Sequence, residues 1–143
     1  MNVKRMLIVT LSSLLVFAMS VFSFAEQVEP PIDPGDDPSP YQYTAFANAY
    51  CSISGGTATC RTKVTGNSGV TKIVATQTLQ RKSGGNWTNV KTWSADIVNG
   101  GSFNVSHTKV VSSGYSYRTK ASVTVYKGAA SETFTVYSGT VSY

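Results

Sequence analysis

Side chains that could do acid–base chemistry are scarce between residues 41 and 143. That stretch holds one histidine, His107, and two carboxylates, Asp96 and Glu132. His107 has no second histidine, thiol or carboxylate nearby in sequence, and glycoside hydrolysis needs a pair of carboxylates for which the stretch offers no obvious candidates. A G-x-S-x-G nucleophile motif does not occur. The sequence therefore predicts a protein that is not an enzyme, with no catalytic residue, no metal site and no cofactor.

The first 25 residues have the pattern of a secretory signal peptide. Lys4 and Arg5 precede an almost entirely apolar run, and Ser23 and Ala25 put small side chains at the −3 and −1 positions of a cleavage site. The alternative is an uncleaved membrane anchor, because residues 6–25 are just long enough to span a bilayer. We favour cleavage, which predicts a secreted, extracellular protein that associates with the cell surface and has no stable membrane insertion.

Residues 26–40 form a segment of different composition. They hold all five prolines and five of the seven acids of the chain. Proline stiffens the backbone and clustered carboxylates repel one another, so we predict an acidic, proline-rich linker that acts as a solvated spacer. The alternative is a tether that folds back on the rest of the chain. Residues 41–143 keep ten basic side chains against two acids, a formal charge of +8.

The remaining sequence, residues 41–143, is predicted to be one all-β domain. Thr, Ser, Val and Tyr alternate from Tyr43 onward, and no stretch shows the apolar period of a helix. Glycine-containing turns at 55–56, 83–86 and 128–129 predict three hairpins. Counting outward from the turns places Leu79 opposite Val90 and Val123 opposite Phe134. About seven strands, each apolar on one face, predict an antiparallel two-sheet sandwich.

The two cysteines, Cys51 and Cys60, lie on the two strands of the first predicted hairpin. A two-residue turn at Gly55-Gly56 puts them opposite each other at a non-hydrogen-bonded site, where Cβ atoms come close enough for a disulfide. Export to an oxidising space favours that bond. We therefore expect one disulfide within the hairpin; two free thiols in the core are the alternative.

Two resemblances follow from these segments. Gly114-Tyr115-Ser116-Tyr117-Arg118 resembles the tyrosine corner of immunoglobulin-like and fibronectin type III domains. This resemblance implies an immunoglobulin-like sandwich in which Tyr115 or Tyr117 bonds through its hydroxyl to backbone upstream. The cysteines depart from the antibody pattern because they lie in one hairpin and would not bridge two sheets.

A second resemblance covers roughly residues 43–140. The segments that carry it are 51–60, 78–87, 90–93, 115–118 and 125–128. In these segments the chain resembles small exported proteins of Firmicutes that are grouped as a domain of unknown function. The resemblance implies a secreted bacterial sandwich, and it brings no activity and no catalytic residues.

One predicted sheet face combines aromatic and cationic side chains. Flat aromatic rings suit sugar rings, and cations suit anionic polymers such as teichoic acids, so we predict that this face binds a glycan, an anionic cell-wall polymer or a surface partner. Structural cross-strand pairing is the alternative, and a one-residue slip in register would turn both tryptophans inward. The candidate binding residues are Trp87, Trp93, Gln80, Lys91, Arg118, Lys120, Tyr126 and Tyr137.

The basic charge of the domain raises nucleic acid as a partner, but the basic residues are spread over several strands and no nucleic-acid-binding motif is present. We therefore expect no nucleic acid, and an anionic cell-wall polymer or lipid headgroup instead. The rival prediction from another class is a structural or assembly module that pairs through its strand edges and takes no small ligand.

Overall fold

Residues 41–143 are the part of the chain that the computed structural model describes. The predicted signal peptide (1–25) and linker (26–40) lie outside the described residues. Within 41–143 the chain forms nine strands and no helix, so the all-β prediction is confirmed with two more strands than expected. The strands are β1 Thr44–Ser54, β2 Thr57–Gly66, β3 Lys72–Ser83, β4 Asn86–Thr92, β5 Asp96–Asn99, β6 Ser102–Val110, β7 Ser116–Lys127, β8 Ala130–Tyr137 and β9 Val141–Ser142.

The strands form two antiparallel sheets, as predicted. A small sheet has the order β1-β2-β6, and a large sheet has the order β4-β3-β7-β8. The two short strands complete the large sheet: β5 pairs with β3 beyond the end of β4, and β9 pairs with β7. Both strands are short, which is why the alternation of the sequence does not reveal them.

Apolar side chains from both sheets share one core. Val64 and Phe103 of the small sheet are fully buried in a cluster with Ile73, Val123 and Val125 of the large sheet. In β2 and β7 alternate residues are buried in the core, because successive side chains of a strand lie on opposite faces. The period-two pattern of the sequence therefore places the two sheets face to face.

The glycine turns set the register of two hairpins as predicted. Gly55 and Gly56 both adopt positive φ angles, of 54° and 77°, which a tight hairpin turn favours. Ser54 then pairs with Thr57. The last hairpin also has the expected register, with Val123 opposite Phe134.

The hairpin between β3 and β4 contains a β-bulge at Val90. Gln80 pairs with Asn89 in the predicted register, but Leu79 pairs with Lys91, so Val90 is the extra residue. The predicted pairing of Leu79 with Val90 is therefore wrong. Leu79 is fully buried while Val90 is 36% exposed, and bulges of this kind occur preferentially on edge strands such as β4.

The two cysteines are paired as predicted but are not bonded. Cys51 lies directly opposite Cys60 in the register of β1 and β2. Both cysteines are free thiols, so the prediction of a disulfide between them is wrong. The two thiols face each other across the hairpin, where the Cys60 thiol can donate a hydrogen bond to a Cys51 thiolate. This bond from Cys60 lowers the pKa of Cys51 to about 7. The same bond and burial raise the pKa of Cys60, which is fully buried.

A belt of polar side chains crosses the core between the apolar cluster described above and a second, smaller one formed by Ala58, Cys60, Leu79 and Tyr117. This polar belt consists of Thr62, Gln77 and Thr119, all fully buried. Gln77 Nε2 donates 2.9 Å hydrogen bonds to Thr62 Oγ1 and to the Val105 carbonyl. Thr119 Oγ1 donates to the Tyr50 carbonyl at 2.9 Å. Each of these bonds runs from the large sheet to the small one, so the belt links the sheets directionally.

Replacing Gln77 by leucine should destabilise the domain. The change leaves the Val105 carbonyl and the Thr62 hydroxyl without their cross-sheet partner, which typically costs about 1–3 kcal/mol. Removal of the buried, unpaired Gln77 Oε1 offsets part of this cost, so we expect a loss at the lower end of that range. Urea unfolding measures the loss. Gln42→Leu is the matched control because the Gln42 side chain is exposed. Equal stability of the two variants would contradict a structural role for the belt.

Alkylation should distinguish the two thiols. Because the pKa of Cys51 is lowered to about 7, its reaction with iodoacetamide should speed up as the pH rises through 7. Cys60 should react only after unfolding, since it is fully buried. Mass spectrometry of peptides locates the label. Equal labelling rates at both cysteines, or the absence of free thiol in the native protein, would contradict this assignment.

Candidate functional site

The outer face of the large sheet holds a row of side chains centred on Arg118. The row runs from Trp87 on β4 through Gln80 on β3 and Arg118 on β7 to Tyr137 on β8. The carbon centre of the Arg118 guanidinium lies 4.2 Å from the centroid of the Trp87 ring and 4.3 Å from that of Tyr137. A guanidinium this close to two ring centroids makes cation–π contacts with both.

Two amide side chains hold Arg118 in this position. Arg118 Nε donates a 2.9 Å hydrogen bond to Gln80 Oε1, and Gln80 Nε2 donates one of 2.9 Å to Asn89 Oδ1. Gln80 is only 7% exposed, so its own amide is well fixed, while Asn89 is exposed. Within residues 41–143 the two Nη groups of Arg118 have no hydrogen-bond or ion-pair partner. This fork of donors matches an oxyanion of phosphate or carboxylate.

Further cations share this outer face. Lys120 is the next outward residue on β7 and pairs with Tyr137. At the other end of the sheet, Lys72 Nζ lies 4.0 Å from the centroid of the Tyr126 ring. The structure thus brings six of the predicted binding residues to one face: Trp87, Gln80, Arg118, Lys120, Tyr126 and Tyr137.

The bulge at Val90 separates the other two predicted residues, Lys91 and Trp93, from this face. Lys91 pairs with Leu79, whose side chain points into the core. Trp93 packs against the same buried cluster, and its ring stacks on that of His107 with centroids 5.0 Å apart and an angle of 13°. The prediction that Trp87 and Trp93 lie side by side is therefore wrong. The bulge shifts the register by one residue in the part of β4 beyond Val90, and this shift turns Lys91 away from the outer face.

Sequence reasoning missed the contact between His107 and Asp96. His107 Nε2 lies 2.7 Å from Asp96 Oδ2. This contact joins β6 of the small sheet to β5 of the large sheet. The pairing depends on β5, a strand of four residues that the sequence pattern does not reveal. Among the described residues, no three His, Cys, Asp or Glu side chains come together as metal ligands would. We assign this pair a structural role.

Both carboxylates of the domain are occupied by structural contacts. Asp96 binds His107, while Glu132 on β8 accepts hydrogen bonds from the Gln42 and Tyr43 amides and from Thr44 Oγ1. Within residues 41–143 no lysine or arginine forms a salt bridge. Within that range no carboxylate therefore neutralises any of the ten basic side chains.

Comparison with known proteins adds no assignment to this geometry. No protein-family model matches the chain, and no curated protein matches it. In the part of the chain that the structure describes, no helix is long and apolar enough to cross a membrane. The functional interpretation therefore depends on the contacts described above.

The two tryptophans should differ in their contribution to stability. Trp93→Ala removes a ring that packs on the core cluster containing Leu79, whereas Trp87→Ala removes a ring that lies on the outer face over Arg118. Truncation of a fully buried aromatic costs about 3–5 kcal/mol, so the loss at the partly buried Trp93 should fall below that, whereas an exposed cation–π contact contributes about 0.5–1 kcal/mol. Trp93→Ala should therefore be the more destabilising in chemical unfolding. The reverse order would contradict the placement of Trp93.

Proposed function

We propose that the domain is a non-catalytic binding module that holds an anionic polymer of the cell surface on the outer face of its large sheet. The observation that carries this proposal is the Arg118 guanidinium. Its central carbon lies close to both the Trp87 and the Tyr137 ring and its Nε is held by Gln80, while both Nη groups stay free of protein partners among residues 41–143. A donor fork fixed in advance loses little conformational entropy when it binds an anion.

The arrangement of the rings favours an anionic ligand over a neutral sugar. A neutral sugar would stack its C–H face on an aromatic ring, yet cations already lie over these rings. Arg118 covers Trp87 and Tyr137, and Lys72 covers Tyr126. The cations themselves are the groups best placed to meet a ligand. Of the two predicted ligands, glycan or anionic cell-wall polymer, we therefore propose the anionic polymer.

Assembly through strand edges has less support. The β4 edge carries the bulge at Val90, and β1 carries a register shift between Thr44 and Phe46. Both irregularities lie on strands at sheet edges, where a bulge hinders pairing with a second chain. These observations favour a binding module over an edge-paired assembly.

We further propose that the domain is an immunoglobulin-like sandwich of an exported protein. The order of the two sheets and the face-to-face core support this architecture. Tyr117 adds to it, because its hydroxyl donates a 2.7 Å hydrogen bond to the Ser112 carbonyl, five residues upstream, as in a tyrosine corner. Such a sandwich agrees with the resemblance to small exported Firmicutes proteins, and export would put the basic face in contact with anionic wall polymers.

Arg118→Gln should weaken binding of long-chain inorganic polyphosphate, the probe for an anionic polymer. Loss of one charge-assisted fork should reduce the affinity about tenfold, which corresponds to about 1.4 kcal/mol of binding free energy. Isothermal titration calorimetry at low and at moderate salt measures the affinity. The affinity of the parent protein and that of the variant should both fall as the salt concentration rises.

Lys91→Gln is the matched control for this experiment. It removes the same charge from an exposed side chain that pairs with Leu79 and lies off the Arg118 row. Its affinity should stay within about twofold of the parent protein, because only the general charge changes. Equal weakening by the two variants would refute a specific role for Arg118. Equally tight binding of neutral dextran would favour the sugar-stacking alternative.

A further inference from the structure

The outer face of the small sheet repeats the arrangement found around Arg118. Arg61 on β2 donates from Nε to Asn104 Oδ1 on β6, at 2.8 Å. Its guanidinium carbon lies 5.6 Å from the centroid of the Tyr50 ring on β1. The same three parts are present: an amide on the neighbouring strand that holds Nε, an aromatic ring beside the guanidinium, and two Nη groups with no partner among the described residues.

A second cation extends this surface, which we call the Arg61 face (Phe46, Tyr50, Arg61, Lys63 and Asn104). Lys63 lies two residues from Arg61 on the same side of β2, and its Nζ is 5.8 Å from the centroid of the Phe46 ring. Phe46 and Tyr50 are 43% and 41% exposed, so these rings contribute little to the core. Exposed aromatic side chains gathered with cations on one face are a feature of binding surfaces.

The charges of the Arg61 face are complementary to a polyanion. The two carboxylates of residues 41–143 are engaged elsewhere, Asp96 with His107 and Glu132 with the start of β1. The face is therefore purely cationic among its charged groups. Because the sheets enclose the core between them, it points away from the Arg118 row.

We propose that the Arg61 face is a second anion-binding surface for a linear phosphate-bearing polymer, and that the domain is thereby divalent. One polymer chain would lie on the large sheet and another on the small sheet, so that a single domain bridges two chains. The second surface stands on its own geometry. Only the divalency rests on the proposed function of the Arg118 row.

An NMR titration of the protein with inorganic tripolyphosphate at low salt tests the second surface. Two groups of backbone amides should shift, one around Arg61 and Asn104 and the other around Arg118 and Gln80. Arg61→Gln should abolish the first group only, and Arg118→Gln the second only. Lys109→Gln is the charge-matched control, since Lys109 is exposed but pairs with the buried Ala58 and so lies on the core side of β6. It should leave both groups of shifts intact.

Light scattering with long-chain polyphosphate tests the divalency. The parent protein should cross-link the polymer, with scattering that peaks at an intermediate ratio of protein to polymer and falls when either is in excess. Each single variant should still bind the polymer but lose the scattering peak, because a monovalent protein cannot bridge two chains.

The outcomes separate this proposal from the preceding one. Absence of shifts around Arg61, or shifts there that persist in Arg61→Gln, would overturn the second surface while leaving the Arg118 row untouched. Shifts around Arg61 without any around Arg118 would support the second surface and overturn the proposed function. A scattering peak that survives in both single variants would overturn the divalency.

Discussion

The side-chain amide of Gln77 imposes the constraint on which the rest of this domain depends. Apolar packing between two sheets has no preferred direction and would tolerate some sliding of one sheet over the other. A buried amide is different, because it is costly to desolvate unless it finds partners at fixed distances and angles. Gln77 Nε2 finds them on the small sheet, in Thr62 Oγ1 and the Val105 carbonyl, and these two bonds fix β3 against β2 and β6. The buried Gln77 Oε1 has no hydrogen-bond partner among the described residues.

The same strands transmit that constraint to the outer surface. Gln77 points inward from β3, and Gln80, three residues later, points outward and holds Arg118. On β7 the inward Thr119 bonds to the small sheet, and it is flanked by the outward Arg118 and Lys120. The Arg118 guanidinium is carried by β7 and held by Gln80 of β3, and both strands bond to the opposite sheet. It is therefore held more precisely than a guanidinium on a loop would be. Gln77 and Thr119 of the polar belt therefore lie on the inner face of the same two strands whose outer face carries Gln80 and Arg118.

Local rules explain which features the sequence predicts correctly. A two-residue turn at Gly55-Gly56 leaves only one way to count outward, so the opposition of Cys51 and Cys60 follows directly. The turn does not determine whether the two sulfurs are bonded, and here both cysteines are free thiols. The bulge at Val90 has no signal in the alternation of β4, and it moved Trp93 from the predicted face into contact with the core. The contact of Asp96 with His107 depends on a short strand placed by tertiary packing.

The choice of partners for the basic side chains connects stability to function. A carboxylate beside each cation would neutralise it, and exposed pairs of that kind add little stability. An aromatic ring instead holds the cation in place and leaves its charge and its donors intact. Five of the cations lie over rings: Arg61, Lys63, Lys72, Arg81 and Arg118. Ordering the cations in this way without neutralising them suits the proposed binding of a polyanion by a basic domain whose two acids both serve the fold.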